Sequence, residues 1–238
     1  MFADIFRYLK KIEFVRIVYW KLSSFYAKLG FRVANRKVAL GRRVQIIGAK
    51  NIVFAGRASI ADNTWINLNK RTQREELVVG ECSHIGRNNF ISVGQKLEIG
   101  PYFFSSVNCS IIGATHEDDP FRPYIDGPTN FLGNGIIIGT NVFMGANSKI
   151  IGGVRIGFGS IIAANACVIR DVPPLSLVVG YPAKVISRFC LERLVWDDLF
   201  DLNSILGITE QEYLVKIQER YGSISTPYFA VSERSGWL

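Results

Sequence analysis

The sequence predicts an all-β solenoid. Three observations carry this: an aliphatic every six residues, a glycine or alanine just after it, and a small or β-branched residue two places before it. From Ile138 the aliphatic positions are Ile138, Met144, Ile150, Ile156, Ile162 and Val168. Val142, Ser148, Val154, Ser160 and Ala166 stand two residues ahead, and Gly139, Gly145, Gly157 and Ala163 follow. A helix repeats near 3.6 residues and a simple strand at 2, so six suits neither. It suits a chain that turns a corner every six residues, three corners to a coil, with short strands stacked at ~4.8 Å. The aliphatic then fills the interior, and the small residue sits where the corner leaves little room.

Upstream the register continues with breaks. Leu40, Ile46 and Ile52 are six apart, as are Ile60 and Ile66, then Val79, Ile85 and Ile91, then Ile99, Ser105 and Ile111. Jumps of 8 separate Ile52 from Ile60 and Ile91 from Ile99, and a jump of 27 separates Ile111 from Ile138. Three hexads lie between break points, so the insertions are expected to leave the prism at one edge. The step from Ile66 to Val79 crosses a polar stretch and falls one residue off register. About six coils result, spanning 38–188, with one long excursion at 112–137.

The flanks read differently. Residues 1–37 form a basic amphipathic helical segment with Phe2, Ile5, Phe6, Leu9, Ile12, Val15, Ile17 and Trp20 on a broad apolar face. It is expected to cap the raw first coil, whose open end exposes unpaired backbone, and could also rest on an anionic membrane. Residues 189–220 look helical, and the extension to 238 ends as irregular chain.

Composition narrows the function classes. The chain has 238 residues, 48% hydrophobic and 20% charged, which excludes low-complexity disorder and supports a sizeable core. Arg16 and Lys21 interrupt the best apolar run before it reaches the ~18 residues a membrane span needs. The start lacks the order of a signal peptide, and Cys82, Cys109, Cys167 and Cys190 show no C-x-x-C spacing. A cytoplasmic protein without a zinc knuckle or a disulfide framework is expected, peripheral to the inner face of the membrane if residues 1–37 touch it. The net charge is +8, and residues 1–37 carry nine Lys/Arg against two Asp/Glu. The excess of positive charge suits an anionic ligand. Nucleic acid is not the expected partner, because no compact Lys/Arg cluster or nucleic-acid-binding motif is present.

The stretch IIIGTNVFMGANSKIIGGVRIGFGSIIAANACVIRDVPPLSLVVGYPAKVI resembles the hexapeptide-repeat acyltransferases. Within them it is most similar to the branch of galactoside, maltose, nodulation and polysaccharide O-acetyltransferases. R-D-V-P-P followed by V-V-G-Y-P-A-K-V-I is its most specific part. The resemblance implies a left-handed parallel β-helix and a homotrimer with acetyl-CoA, the acyl donor, in the groove between neighbouring prisms. It implies no metal.

Two histidines are present, His84 and His116. His84 precedes Ile85-Gly86 inside a hexad and is expected to be structural. His116 lies in the excursion, among carboxylates, and rigid scaffolds tend to present catalytic groups on such loops. The resemblance implies that His116 is the general base. An imidazole titrating near pH 6.5 can take the proton of an attacking hydroxyl and return it to the departing thiol. The tetrahedral oxyanion needs a backbone N–H, which the resemblance assigns to Ala146. Transfer is expected to be direct, since no cysteine or serine pairs with the base in a recognisable motif. Glu117, Asp118, Asp119 and Glu98 are unranked candidates for orienting the imidazole.

For acetyl-CoA, the resemblance implies Phe143 beside the pantetheine arm and Ala146, Ala164 and Ile169 as contacts along the last coils. Arg170, Lys184 and Arg188 are candidates for the phosphates. For the acceptor it implies Ser92, where galactoside relatives present asparagine, and Asn108 in the V-N-C-S segment.

The expected activity is acetyl transfer to a sugar hydroxyl, in surface polysaccharide (O-antigen or capsule) or lipid-linked oligosaccharide biosynthesis. The alternative enzyme reading is N-acetylation of a nucleotide-linked amino sugar, although 37 N-terminal residues are few for the nucleotide-sugar domain such enzymes carry. A zinc carbonic anhydrase on the same solenoid needs three histidine ligands, one more than the chain contains. A non-catalytic solenoid has little need of a long acidic, histidine-bearing excursion.

Overall fold

Three parallel sheets, visited in rotation, wrap one aliphatic interior. This is the arrangement in a computed structural model that describes residues 38–68, 76–198 and 207–222. The segment 1–37 and the chain beyond 222, for which a helix and an irregular tail were expected, lie outside the described residues.

The first face begins Val38–Leu40, Ala58–Ile60, Ser83–Ile85, Phe104–Ser105, Phe143–Met144, Ile161–Ile162 and Ser176–Gly180. The second is a six-stranded sheet of Gln45–Ile47, Trp65–Asn67, Phe90–Ser92, Ser110–Ile112, Lys149–Ile151 and Cys167–Val168. The third has five strands: Ile52–Phe54, Glu76–Val79, Lys96–Ile99, Ile136–Ile138 and Arg155–Ile156. Every pairing among these strands is parallel and in register, so equivalent residues form columns: Ile66, Ile91, Ile111, Ile150 and Val168 stack along the second face. A mostly-β chain of parallel sheets in this order fits a left-handed β-helix. All six aliphatics from Ile138 to Val168 are buried, and so are the five small residues that precede them.

The corners explain a feature the hexad pattern does not mention. Arg43, Asn63, Asn88, Asn108, Asn147 and Asn165 all have φ between 53° and 61°, and each stands two residues before a second-face strand. This left-handed conformation lets the backbone turn from the first face to the second, and asparagine tolerates it better than most residues. The corner residues also tie the coils together, as when Asn147 N donates to Val107 O at 3.0 Å and Asn165 N to Ala146 O at 2.9 Å.

All insertions do leave at one edge, between the second and third faces, but one register position differs from the expected one. Phe54, not Ile52, pairs with Val79, and Val79 in turn with Ile99. The jump of eight therefore falls between Ile46 and Phe54. The third-face strands bury two positions, so Ile52, matched to Leu77, meets the six-residue spacing by coincidence.

The C-terminal region also differs from its expectation. Residues 189–220 are not one helical stretch. Ala183–Cys190 turns back antiparallel on Ser176–Gly180, and Val195–Asp197 pairs with it, carrying the first face to nine strands. Exposure alternates from Ala183 to Ile186, a strand period, and Phe189 packs edge-on against Trp196 at 5.5 Å. Among the described residues the helix is confined to Glu210–Tyr221 (α1), opened by a reciprocal cap between Thr209 and Glu212. It lies along the edge between the third and first faces: Glu210 Oε1 accepts from Thr140 N at 2.6 Å, Asn141 Nδ2 donates to the Tyr213 hydroxyl at 2.7 Å, and Tyr213 stacks on Phe158.

Ile66 is fully buried, whereas Val53, on the outside of the third face, is 52% exposed. Ile66→Ala is therefore expected to cost about 3 kcal/mol in urea denaturation and Val53→Ala less than about 0.5 kcal/mol. Equal costs would contradict the inward assignment.

Candidate active site

The excursion departs where two coils touch backbone to backbone. A Cβ on Gly94 (φ +70°) would lie 2.1 Å from the Gly113 carbonyl oxygen, and one on Gly113 would lie 2.4 Å from that of Val93. Glycine at both places lets the chain leave the coil without opening the ladder. Ala114–His116 then pairs antiparallel with Thr129–Phe131, and Leu132 N returns to Gly113 O at 2.9 Å. The excursion is thus a β-hairpin rooted in the prism, with His116 at the end of its first strand, opposite Thr129.

Between the root of this hairpin and the outer surface of the second face lies a cleft of about 230 Å³. Its walls include Asn67, Phe90, Ser92, Thr115, His116 and Thr129. His116 is exposed and Ser92 half-buried. The cleft brings together an imidazole, three hydroxyl side chains, an amide and an aromatic ring, a set able to hold a polyhydroxylated ligand and accept a proton from it.

The carboxylates that the sequence offers to orient His116 are largely engaged elsewhere. Arg122 donates to Glu117 at 3.0 Å, Asp119 accepts from Phe121 N at 2.9 Å, and Glu98 pairs with Lys96. The Glu117 and Asp119 bonds shape the hairpin tip, Glu98 lies on the third-face strand Lys96–Ile99, and His116 walls the cleft.

The other expected site residues are spread over the prism. Phe143 stands on the outer first face, 5.7 Å from the Phe104 ring. Ala146 and Ala164 occupy successive turns of the corner between first and second faces, where Asn165 N donates to Ala146 O. Ile169 and Arg170 are exposed just past the last second-face strand, and Lys184 is exposed on Ala183–Cys190. Arg188, on the same strand, is only 6% exposed, aligned between Ser176 and Asp197, and its side chain is not presented to solvent as Arg170 and Lys184 are. Asn108 is one of the left-handed corner residues, at the far edge of the second face from the hairpin, so its residue type has a structural reason. Ser92 and His116 alone of the expected set wall the cleft, joined by Asn67 and Phe90, which the sequence reading did not single out.

His84 lies outside this cleft. Ile85 points inward, so His84 points to the outer side of the first face, where it is 6% exposed, 5.1 Å from the Phe104 ring and joined to Ser59 Oγ by a 2.7 Å hydrogen bond through Nδ1. Burial lowers its pKa to about 4. Cys109 is interior, its Sγ 3.2 Å from Gly145 O, and burial pushes its thiol up, away from nucleophilic use.

No family model matches the chain. Among curated proteins, a probable macrolide acetyltransferase of Lysinibacillus sphaericus is 31% identical over 159 residues, covering 54% of this chain and 86% of the relative. The chain belongs to the hexapeptide-repeat acetyltransferases. A probable acetyltransferase of Mycobacterium tuberculosis is 26% identical over 189 residues, 75% of this chain, and the match spans 60% of that relative's length. Among solved structures, the N-acyltransferase AntD of Bacillus cereus, in complex with dTDP and 3-hydroxybutyryl-CoA, superposes with a TM-score of 0.54 at 19% identity, over 64% of this chain and 80% of that one. At that identity the likeness is one of fold. Within this family framework the cleft beside His116 is the candidate active site, and among the described residues no helix is long and apolar enough to cross a membrane.

The depressed His84 pKa makes a pH prediction. The unfolded state takes up a proton near pH 6.5 and the folded state only near 4, so stability falls as pH drops through that window. The loss is at most about 3 kcal/mol for a gap of this size. Denaturation midpoints between pH 7 and 4 should show this slope for the wild type and a shallower one for His84→Gln. Parallel slopes would exclude His84 as the cause.

Proposed function

We propose that this chain is an acetyl-CoA-dependent O-acetyltransferase that modifies a sugar hydroxyl, in surface-polysaccharide or lipid-linked oligosaccharide assembly. It acts as a homotrimer of left-handed β-helices of about six coils, in the cytoplasm, with residues 1–37 able to hold it near a membrane-borne acceptor. The observation that carries the reading is the His116 cleft: an accessible imidazole faces polar and aromatic walls that suit a sugar, in a chain of acetyltransferase lineage.

In the proposed reaction the acceptor hydroxyl enters the cleft beside Ser92. His116 takes its proton as the oxygen attacks the thioester carbonyl carbon. The backbone N–H of Ala146 stabilises the oxyanion of the tetrahedral intermediate. Collapse breaks the C–S bond, and the imidazolium returns the proton to the coenzyme thiolate. No acyl-enzyme forms. Phe143, Ala146, Ala164 and Ile169 line the path of the pantetheine arm, and Arg170 and Lys184 meet the phosphates.

In one protomer Phe143, Ala146, Ala164 and Lys184 follow the first face and its corner with the second, while His116, Ile169 and Arg170 stand at the edge between the second and third faces. The reading therefore joins the hairpin of one copy to the corner of its neighbour, which is why the proposed assembly is a trimer with three shared sites.

His116→Ala is expected to lower kcat about 1,000-fold in a thiol-release assay, with coenzyme A affinity by calorimetry and the melting temperature unchanged. Near-wild-type turnover would remove His116 from the reaction. A panel of neutral saccharides, free amino sugars and nucleotide-linked amino sugars separates O- from N-acetylation, and the reading requires transfer to neutral saccharides.

A further inference from the structure

The outer second face carries an aromatic column of which the proposed chemistry leaves one member, Trp65, unused. Trp65 and Phe90 are register partners on adjacent strands, with ring centroids 5.1 Å apart and planes at 55°. Trp65 is 42% exposed, a large apolar surface left in water. Phe90 is itself a wall of the His116 cleft, so the floor of the cleft continues without a break onto the indole. Asn67, Ser92 and Ile112 run alongside as the next column, in register with one another, and Asn67 and Ser92 also wall the cleft. One strand further back, Gln45 aligns with Trp65.

We propose that Trp65 is a second sugar subsite, which makes the acceptor a linear, uncharged saccharide of at least two rings; this deepens the O-acetyltransferase reading and rests on it. The chemistry of the surface carries the assignment. A pyranose has an apolar C–H face and a rim of hydroxyls. Trp65 and Phe90 offer aromatic surface for the face. Gln45, Asn67 and Ser92 offer amide and hydroxyl groups to the rim, and none is charged. Trp65 lies two strands from Ser110–Ile112, the strand that leads into the hairpin, a distance of ~10 Å at the usual inter-strand spacing. That is the span of two linked pyranose rings. A ring stacked on the indole therefore sets its neighbour over Phe90, with a hydroxyl toward His116.

The test compares glucose, cellobiose and cellotetraose as acceptors for the wild type, Trp65→Ala and Trp65→Phe, with acetyl-CoA and thiol release as readout. Trp65→Ala is expected to lower kcat/KM for cellotetraose about 10-fold more than for glucose, and Trp65→Phe to recover most of that loss. An equal change on glucose and cellotetraose overturns the subsite, as does a change of oligomeric state in light scattering, which would mean that a second copy covers the indole. If the wild type acetylates none of the three, the O-acetyltransferase reading fails on these sugars, and the subsite is judged by binding alone. Cellotetraose should then still shift tryptophan emission in the wild type and not in Trp65→Phe. No shift in the wild type overturns the subsite.

Discussion

Each coil must repeat the height and register of the coil before it, because its backbone N–H groups are satisfied only by carbonyls one turn away. Phe143 N reaches Ser160 O at 3.0 Å and Gly145 N reaches Ile162 O at 2.7 Å, and the same ladder recurs on all three faces. A chain held this way has little freedom in where its side chains go. Inward positions become columns of Ile, Val, Leu and Met, and outward positions become columns that ligands can read. Extra residues are accepted only at an edge, since an insertion within a face would leave buried donors without partners.

The three edges consequently take different roles. The corner between first and second faces is kept tight by left-handed residues, mostly asparagine, and stacks Val107, Ala146 and Ala164 at successive turns. The edge between second and third faces takes the insertions, including the hairpin that holds His116. The edge between third and first faces is covered by α1, through Glu210 and Tyr213. A hairpin at the first corner would break the left-handed turns, and one at the third edge would meet the helix. The imidazole is therefore placed where the fold can afford an excursion.

Much of this was legible in the residues because periodicity survives wherever no insertion interrupts it. The run from Ile138 to Val168 is unbroken, and every member is buried as the pattern requires. Phe54 was hidden because Ile52, two residues earlier on the same strand and also inward, met the six-residue spacing. Strand structure beyond Arg188, at the end of Ala183–Cys190 and in Val195–Asp197, is hidden because its pairing is a matter of neighbours, and a mixed apolar and charged run ahead of α1 reads as helix when its sheet is unknown. The recurrent asparagines were visible and had a conformational meaning, which bears on Asn108: its residue type answers to φ 58° before it answers to a ligand. The Trp65–Phe90 pair could not be found by spacing, since the chain between them crosses an insertion whose length no period supplies.

The cleft also explains why one histidine can suffice on the proposed reading. Direct transfer asks the protein for a proton acceptor, an oxyanion donor and orientation of two substrates, and orientation supplies much of the rate. His116 is exposed, near the root of a hairpin that Gly94 and Gly113 seat closely on the coil below, so its position derives from the prism and not from the loop tip. Glu117 and Asp119 serve the tip through Arg122 and Phe121. Glu117 and Asp119 thus support the fold of the loop, and on the proposed reading the chemistry falls to the imidazole and to the flat outer columns beside it, where a sugar would be held by face and rim before any bond is made.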